Sequence, residues 1–467
     1  MVDEASRGPV RGLPTAGGRR THAYVLSLAM SFLFSSYIAR FGYGILLPRI
    51  IEEMGLSRAE AGLAYSVFTF AYSALSAVSG RLFDKYGVEV VAVLSFVYGL
   101  GLALAGESQN LSALTASLAV AGIGASSSWT PMVALVSSSL PTSWRGRAVG
   151  LLEVGIRVSH GLAGFLIPLL VSTAGLRGTW WTMSLPLFAY GFVFHVLSRS
   201  KSLRIKVEEG EGVTGYRPLL SSRAFWLVGL SYFSMSFASY IVLTFLVDFL
   251  VSELGMPYVE SSAVAGVMGF AGIAGALLLP WASDVMGRAT VLATGNALAS
   301  LCVYLASLSS INEALAGSIG FVIATYGVLF GALWPLYAAC AGDLFPSSTG
   351  TALGLWTFMM GLGALMAPIV GGFMADVSGS YAPTLQASAT AYVVATMLMV
   401  ATAKSWRGPR GLRQTSSATP LARPSCKRAL GKRPPGLLWS SSPRSCRGLS
   451  YCPSSPRTPP PRGSPRP

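Results

Sequence analysis

The chain reads as an all-α membrane protein with twelve transmembrane helices arranged as two six-helix pseudo-repeats. Three observations predict this. Hydrophobic residues make up 52% of the 467 positions and charged residues only 11%, against about 25% charged in an average soluble protein. The apolar residues gather into runs of about 20, the length that crosses a hydrocarbon core of about 30 Å. Blocks of the first half also recur about 200 positions later, the pattern of a duplicated bundle.

Taken in order, the first six runs lie near 23–47, 61–81, 88–106, 112–140, 147–173 and 178–198, and the second six near 224–251, 261–282, 289–309, 314–341, 350–375 and 381–403. The first is too long for a signal-peptide core and lacks a cleavage site, so it is expected to remain as a helix. Around these runs the chain divides into a tail over 1–22, a six-helix half over 23–198, a charged linker over 199–223, a second half over 224–403 and a tail over 404–467.

Orientation follows from Lys and Arg, which stay on the cytoplasmic side. The amino-terminal tail carries Arg7, Arg11, Arg19 and Arg20, and alternate loops carry Arg81, Lys85, Arg145, Arg147 and the cluster Arg199, Lys201, Arg204 and Lys206. The opposite loops hold mainly Glu52, Glu53, Glu60, Glu107, Glu253, Glu260, Glu313 and Asp376. A multi-pass protein of the cytoplasmic membrane with both termini cytoplasmic is expected, in contact with lipid.

The net charge of +15 does not imply nucleic acid as a partner. Of the 34 basic residues, 14 lie from Lys404 onward with no acidic residue among them, which leaves 20 basic against 19 acidic elsewhere. That tail is rich in Pro, Ser, Gly and Arg, a composition that cannot bury a core; disorder or contact with anionic headgroups is expected of it. It holds Cys426, Cys446 and Cys452 without metal-site spacing, while Cys302 and Cys340 fall within apolar runs as small apolar residues.

The repeat aligns "LPRIIEEMGLSRAE" (47–60) with "VDFLVSELGMPYVE" (247–260), matching Glu53 with Glu253, Gly55 with Gly255 and Glu60 with Glu260. The same interval brings "FDKYG" (83–87) onto "SDVMG" (283–287), pairing Asp84 with Asp284 and Gly87 with Gly287. Further on, "LPTSWRGRAVG" parallels "FPSSTGTALG" with the interval drifting to about 204. Two six-helix units in parallel orientation account for these matches.

"GRLFDKYG" (80–87) resembles the loop between helices 2 and 3 of the major facilitator superfamily, and Arg145 with Gly146 after Pro141 resembles that family's loop between helices 4 and 5. The resemblance covers roughly residues 20–403. It departs at Val88, which takes the last basic position of the first copy, and at Pro280 and Val285 in the second. It implies a rocker-switch carrier in which helices 1, 4, 7 and 10 line a central cavity, flanked by helices 2, 5, 8 and 11. It also places Gly80, Asp84, Lys85, Gly87 and Arg145, with Asp284, Gly287 and Arg288 of the second copy, at a cytoplasmic gate. Helix capping and topology are the plainer roles for Asp84 and Lys85.

Within such a bundle the stretch "GLLEVGIRVSH" (150–160) puts Glu153, Arg157 and His160 at i, i+4 and i+7, inside an arc of about 60°. Arg157 lies about 15 Å in from Arg147 along the helix, near the midplane, where an ionisable side chain needs a cavity or a partner. Either Glu153 and Arg157 neutralise each other as an i,i+4 pair, or Arg157 meets an anionic substrate while Glu153 or His160 carries a proton. Helix 1 adds Tyr37, Arg40 and Tyr43 at i, i+3 and i+6, a spacing that permits one shared face. Snorkelling of Arg40 to the outer headgroups is the alternative. Tyr240 is Arg40's counterpart at the repeat interval, and Trp129 and Trp334 stand beside Pro131 and Pro335 in helices 4 and 10. Aromatic walls with two guanidiniums suit a small organic anion, because guanidinium binds carboxylate through two parallel bonds.

The reading expected is therefore a secondary active transporter for a small solute, an organic anion by this chemistry, coupled to protons and functional as a monomer. A drug exporter of the same superfamily is weakened by Leu118 and "GLAGFLIP" where its own motifs would stand. A non-transporting membrane sensor stays open. With histidines only at His22, His160 and His195, no H-E-x-x-H and no phosphate-cradling G-x-x-x-x-G-K-[ST], no enzyme, metal or cofactor is expected.

Overall fold

In the computed structural model, residues 19–199, 217–346 and 348–405 are described. Most of the amino-terminal tail, the linker over 200–216 and the carboxy-terminal tail from 406, with its three cysteines, lie outside them.

Twelve spans are formed among the described residues. They are α1 (Arg19–Met54), α2 (Arg58–Tyr86), α3 (Val88–Gly106) and α4 (Leu111–Ser139, interrupted by a turn at 126–128). A continuous stretch, Thr142–Arg199, breaks at Gly175 into α5 (142–174) and α6 (176–199). The second half comprises α7 (Arg223–Ser252), α8 (Tyr258–Met286), α9 (Arg288–Leu308), α10 (Ile319–Leu344), α11 (Thr349–Ser378) and α12 (Ala382–Ser405). Two short helices, Arg217–Leu220 and Glu313–Gly317, precede α7 and α10. The first span is longer than its apolar run because the helix continues through Pro48 to Met54. Proline is tolerated inside membrane helices where neighbouring helices re-satisfy the freed carbonyls.

Backbone geometry restates the duplication. Positive φ occurs at Gly55, Gly87, Gly175, Gly255, Gly287 and Gly379, with values between 63° and 90°. These form three pairs separated by 200, 200 and 204 positions, so a positive φ recurs at equivalent points of both halves, although ψ differs within a pair, −178° at Gly175 against 5° at Gly379. Only glycine enters that region without steric cost. The third pair, Gly175 with Gly379, was not visible as a motif because its flanking sequences differ.

The two halves meet along three seams. At the α1–α7 seam Gly44 is so close that a Cβ would sit 2.0 Å from the Leu243 carbonyl oxygen. At the α2–α11 seam a Cβ on Gly62 would sit 2.2 Å from the Pro368 carbonyl oxygen. At the α5–α8 seam Gly164 lies against Gly266. Small residues permit such backbone approach between helices in lipid, where packing rather than water exclusion holds helices together.

Cross-half contacts of Arg49, Arg58, Thr69, Arg40, Arg157 and His160 all lie between the Arg58 end and the middle of the helices. Along α2 and α11 the approach continues as far as Ser73 and Gly361. At the opposite end, Gly146 and Gly150 of α5 and Gly350 and Gly354 of α11 have open space where a Cβ would stand. Cross-half contacts thus gather toward the Arg58 end, and the halves part toward the end that carries Asp84 and Arg145, where residues 144–147 are exposed.

Candidate functional site

Arg40 does not snorkel. Its guanidinium lies 4.0 Å from the Tyr72 ring centroid and 5.5 Å from that of Tyr37, and it donates a hydrogen bond across the halves to the hydroxyl of Tyr240. The Tyr65 hydroxyl in turn donates to the Arg40 carbonyl at 3.1 Å. Among the described residues no carboxylate forms an ion pair with Arg40, so a cation is held mid-helix by aromatic faces and one neutral phenol alone. Cation–π attraction strengthens when the cation is desolvated, reaching about 2 kcal/mol.

Arg157 is 4% exposed and pairs with Glu153 on its own helix at 3.6 Å. Its guanidinium also lies 4.9 Å from the ring of Phe330 in α10. Gly272 of α8 lies beside it, and a Cβ there would stand 3.2 Å from the Arg157 Cδ. His160 is buried, stacked on Phe41 with centroids 4.1 Å apart and edge-on to Phe330 at 6.1 Å. The three residues do share one face of α5, as their spacing predicts.

Ring contacts close a circuit between the two arginines. From Arg157 it runs through Phe330 to Trp334 (6.0 Å) and Tyr240 (6.2 Å), and so to Arg40. It returns through Tyr37, Phe41 (5.7 Å) and His160. Among the described residues, three buried nitrogens of this circuit, Arg157 Nε, His160 Nδ1 and Trp334 Nε1, have no hydrogen-bond partner. Buried polar groups are paired in the great majority of cases, and leaving one unpaired costs about 1–3 kcal/mol. These three gather around one ring of aromatic residues.

Two sequence expectations fall differently. Tyr43 leaves the Arg40 face: its hydroxyl donates to the Ala61 carbonyl at 2.7 Å and its ring stacks on Tyr65 at 4.6 Å. A spacing of i, i+6 turns it about 120° from Tyr37, which carries it into the packing of the first half. Trp129 opens the second segment of α4 and packs against the core, without a ring or hydrogen-bond contact to either arginine.

At the parted end the two copies of the loop motif differ. Gly80 approaches Thr130 closely, Gly87 supplies a positive φ, and Lys85 lies over Tyr86. Asp84 is exposed, and Arg145 donates to the Leu140 carbonyl at 3.3 Å; the two form no ion pair with each other here. In the second copy Arg288 joins Asp284 at 3.3 Å and Asp343 at 2.5 Å, beside the positive φ of Gly287. Asp343, at the end of α10, escaped the sequence reading because Ser143 and Ser139 stand at its repeat-related positions.

Four further residues were missed. Arg58 of α2 lies over the ring of Tyr381 at 4.3 Å and has its Nε 4.0 Å from Asp248 of α7. The Asp376 carboxylate accepts the first amides of α2, those of Arg58 at 3.1 Å and Ala59 at 2.8 Å. Nothing local in the sequence couples residues so far apart in the chain, but one sign was legible: Asp248 is an acidic residue inside an apolar run.

Comparison with known proteins agrees with this geometry. The Major Facilitator Superfamily profile matches residues 29–352 and 228–445. A probable sulfoacetate transporter of Cupriavidus necator is 25% identical over 398 residues, spanning 78% of this chain and 89% of that protein. A D-galactonate transporter of Escherichia coli O6:H1 is 25% identical over 409 residues, spanning 79% and 92%. A solved structure of a bacterial homologue of the human lysosomal transporter Spinster superposes with a TM-score of 0.67 at 16% identity, covering 83% of this chain and 95% of that one. Twelve spans, the halved architecture and a family match across most of the chain converge: this multi-pass membrane protein belongs to the Major Facilitator Superfamily and is a transporter rather than an enzyme.

Proposed function

We propose that the protein carries a small organic anion across the cytoplasmic membrane by alternating access, with proton movement as the driving gradient. The observation that carries this reading is Arg40, a mid-membrane guanidinium without a carboxylate partner among the described residues, joined through one aromatic circuit to Arg157. Two guanidiniums with Glu153 as the one paired carboxylate leave excess positive charge in a low-dielectric site, which attracts anions and repels cations. The names of the relatives, a sulfonated acid and a sugar acid, support the same substrate class.

With the basic loops on the cytoplasmic side, the parted end faces the cytoplasm and the Arg58 end faces outward. Substrate would then enter the aromatic circuit from the cytoplasmic cavity in this conformation. Tyr37, Tyr240 and Trp334 wall the anion, while Glu153 and His160 are positioned to exchange a proton beside Arg157. The gate residues Gly80, Asp84, Lys85, Gly87 and Arg145, with Asp284, Gly287 and Arg288, control closure at the cytoplasmic end.

Purified protein in liposomes, offered labelled sulfonates, sugar acids and dicarboxylates beside organic cations and neutral sugars, tests the reading. Uptake limited to acids and accelerated by an inward proton gradient is expected. Uptake of cations or neutral sugars alone overturns it.

A further inference from the structure

We propose that Asp248 is a proton-binding site that governs the Arg58 end, its charged form holding that end closed and its protonated form releasing it. The inference rests on the alternating-access reading and adds a titratable group distant from Glu153.

The geometry at this end is one-sided. The α5–α8 seam closes at this end through Gly164 on Gly266 and Phe165 beside Phe270, and Arg157 meets Gly272 only nearer the middle of the helices. The α2–α11 seam closes through charges. Asp248 is 6% exposed, accepts one hydrogen bond from the Tyr381 hydroxyl at 2.5 Å, and has the Arg58 Nε 4.0 Å from the same oxygen. Arg58 is therefore attracted to Asp248 without a direct hydrogen bond, and only while the carboxyl is charged. The other groups facing this point are Asp376 of α11, Glu253 at the end of α7, and Tyr381 itself ahead of α12. Glu253 accepts from the Tyr381 amide and from Ser380.

Asp376 and Asp248 have different roles. Both Asp376 oxygens are engaged by amides at the start of α2, where the helix end favours a negative charge, so this carboxylate acts as a fixed clasp. Asp248 has a single neutral donor and a cation that no hydrogen bond ties to it, since Arg58 donates instead to the Ala375 carbonyl of α11 at 3.3 Å. Opening the seam takes α2, and Arg58 with it, away from α7. A charged Asp248 would then be left buried beside Tyr381 without its counter-charge, which is costly; a protonated one would not. A proton thus binds in preference to the conformation open at this end, and by linkage its binding favours that conformation. The same proton, arriving from the outer side, unlatches the side from which it arrives.

The reporter is Ala265→Cys, a buried α8 position near the closed seams, labelled with a membrane-impermeant charged thiol reagent. Rates are divided by those of Ile311→Cys, 82% exposed on the same side, so that the pH dependence of thiol chemistry cancels. Between pH 8 and pH 5.5 the relative rate is expected to rise by about fivefold or more. In Asp248→Asn it is expected to be high at both pH values. Arg58→Gln, which breaks the pair from the other side, is expected to behave alike with Asp248 intact, and it keeps the test valid should Asp248→Asn fail to fold. A pH response that persists unchanged in both variants overturns the proposal. Labelling that responds to added organic anion but not to pH leaves alternating access standing and overturns the proposal alone; no labelling in any variant at any pH overturns both.

Discussion

Arg40 donates a hydrogen bond to Tyr240, and these two residues stand 200 positions apart, the interval that relates one half of the chain to the other. Residues equivalent in a duplicated bundle touch each other only near the pseudo-two-fold axis. Their bond therefore locates the axis between α1 and α7 at the aromatic circuit. When two halves rock about a fixed centre, groups near that centre at mid-helix are displaced least. A ligand held there keeps contact with both halves while either end opens.

Arg40 is expected to dominate anion affinity. Hydrogen bonds to charged groups contribute about 1.5–3 kcal/mol, so Arg40→Gln should weaken binding of a transported acid by about 10–100-fold. Tyr240→Phe removes only the competing phenol and should leave affinity within about tenfold of the parent. Titration of melting temperature against ligand reads both. Equal affinities in all three proteins would return Arg40 to a packing role.

The pair Glu153 and Arg157 is expected to show stability and coupling separately. Breaking a buried pair from one side leaves an uncompensated charge, at about 3–5 kcal/mol when fully buried; the 20% exposure of the Glu153 side chain reduces this. Arg157→Gln should therefore lower the melting temperature more than Arg157→Gln combined with Glu153→Gln. Arg157→Lys keeps the charge and loses the planar fork, so anion binding should weaken without the same loss of stability. Glu153→Gln alone should retain anion exchange and lose acceleration by a pH gradient. Gradient-driven uptake surviving intact in Glu153→Gln moves coupling elsewhere, with His160 the next residue to test.

How much of this was legible depended on how far apart the interacting residues lie in the chain. The twelve spans follow from apolar runs, and the face shared by Glu153, Arg157 and His160 follows from helical spacing, both of which are local. Tyr43 shows the limit of spacing: an i, i+6 neighbour can lie on an adjoining face, and packing against Tyr65 decided which. Phe330, Tyr72 and the latch of Arg58 with Asp248 and Asp376 depend on how six-helix halves dock, which no window of sequence encodes. Repeat alignment recovers part of that docking, because Tyr240, Arg40's counterpart at the repeat interval, is the residue Arg40 bonds.

Asp84 is exposed where its end of the bundle is parted, and Arg145 is engaged by the Leu140 carbonyl instead. Any pairing of the two must form when that end closes. Asp84→Asn should accordingly leave the present conformation's packing intact and deplete the opposite one. Thiol labelling at Gly146→Cys, a position with open space around it, should rise relative to labelling at Ala265→Cys. An unchanged ratio removes Asp84 from the gate.

Gly44 is expected to act as a steric switch at the α1–α7 seam. A Cβ there would lie 2.0 Å from the Leu243 carbonyl oxygen and 3.3 Å from that of Thr244, and backbone oxygens in two packed helices cannot yield as a side-chain tip can. Overpacking of this kind costs about 1–3 kcal/mol, and here the cost falls only on the conformation closed at the Arg58 end. Gly44→Ala should therefore shift the population towards the conformation open at that end. Labelling of Ala265→Cys should rise by about fivefold or more, while labelling of Gly146→Cys at the opposite end should fall, because one conformation gains what the other loses. General loosening of the fold would raise both rates together, which separates it from a switch. Gly155→Ala is the control: the nearest atom to its added methyl is the Met30 Cε at 3.8 Å, an ordinary contact, so both rates should match the parent. Parallel behaviour of Gly44→Ala and Gly155→Ala would mean that the α1–α7 approach does not restrain the closed end.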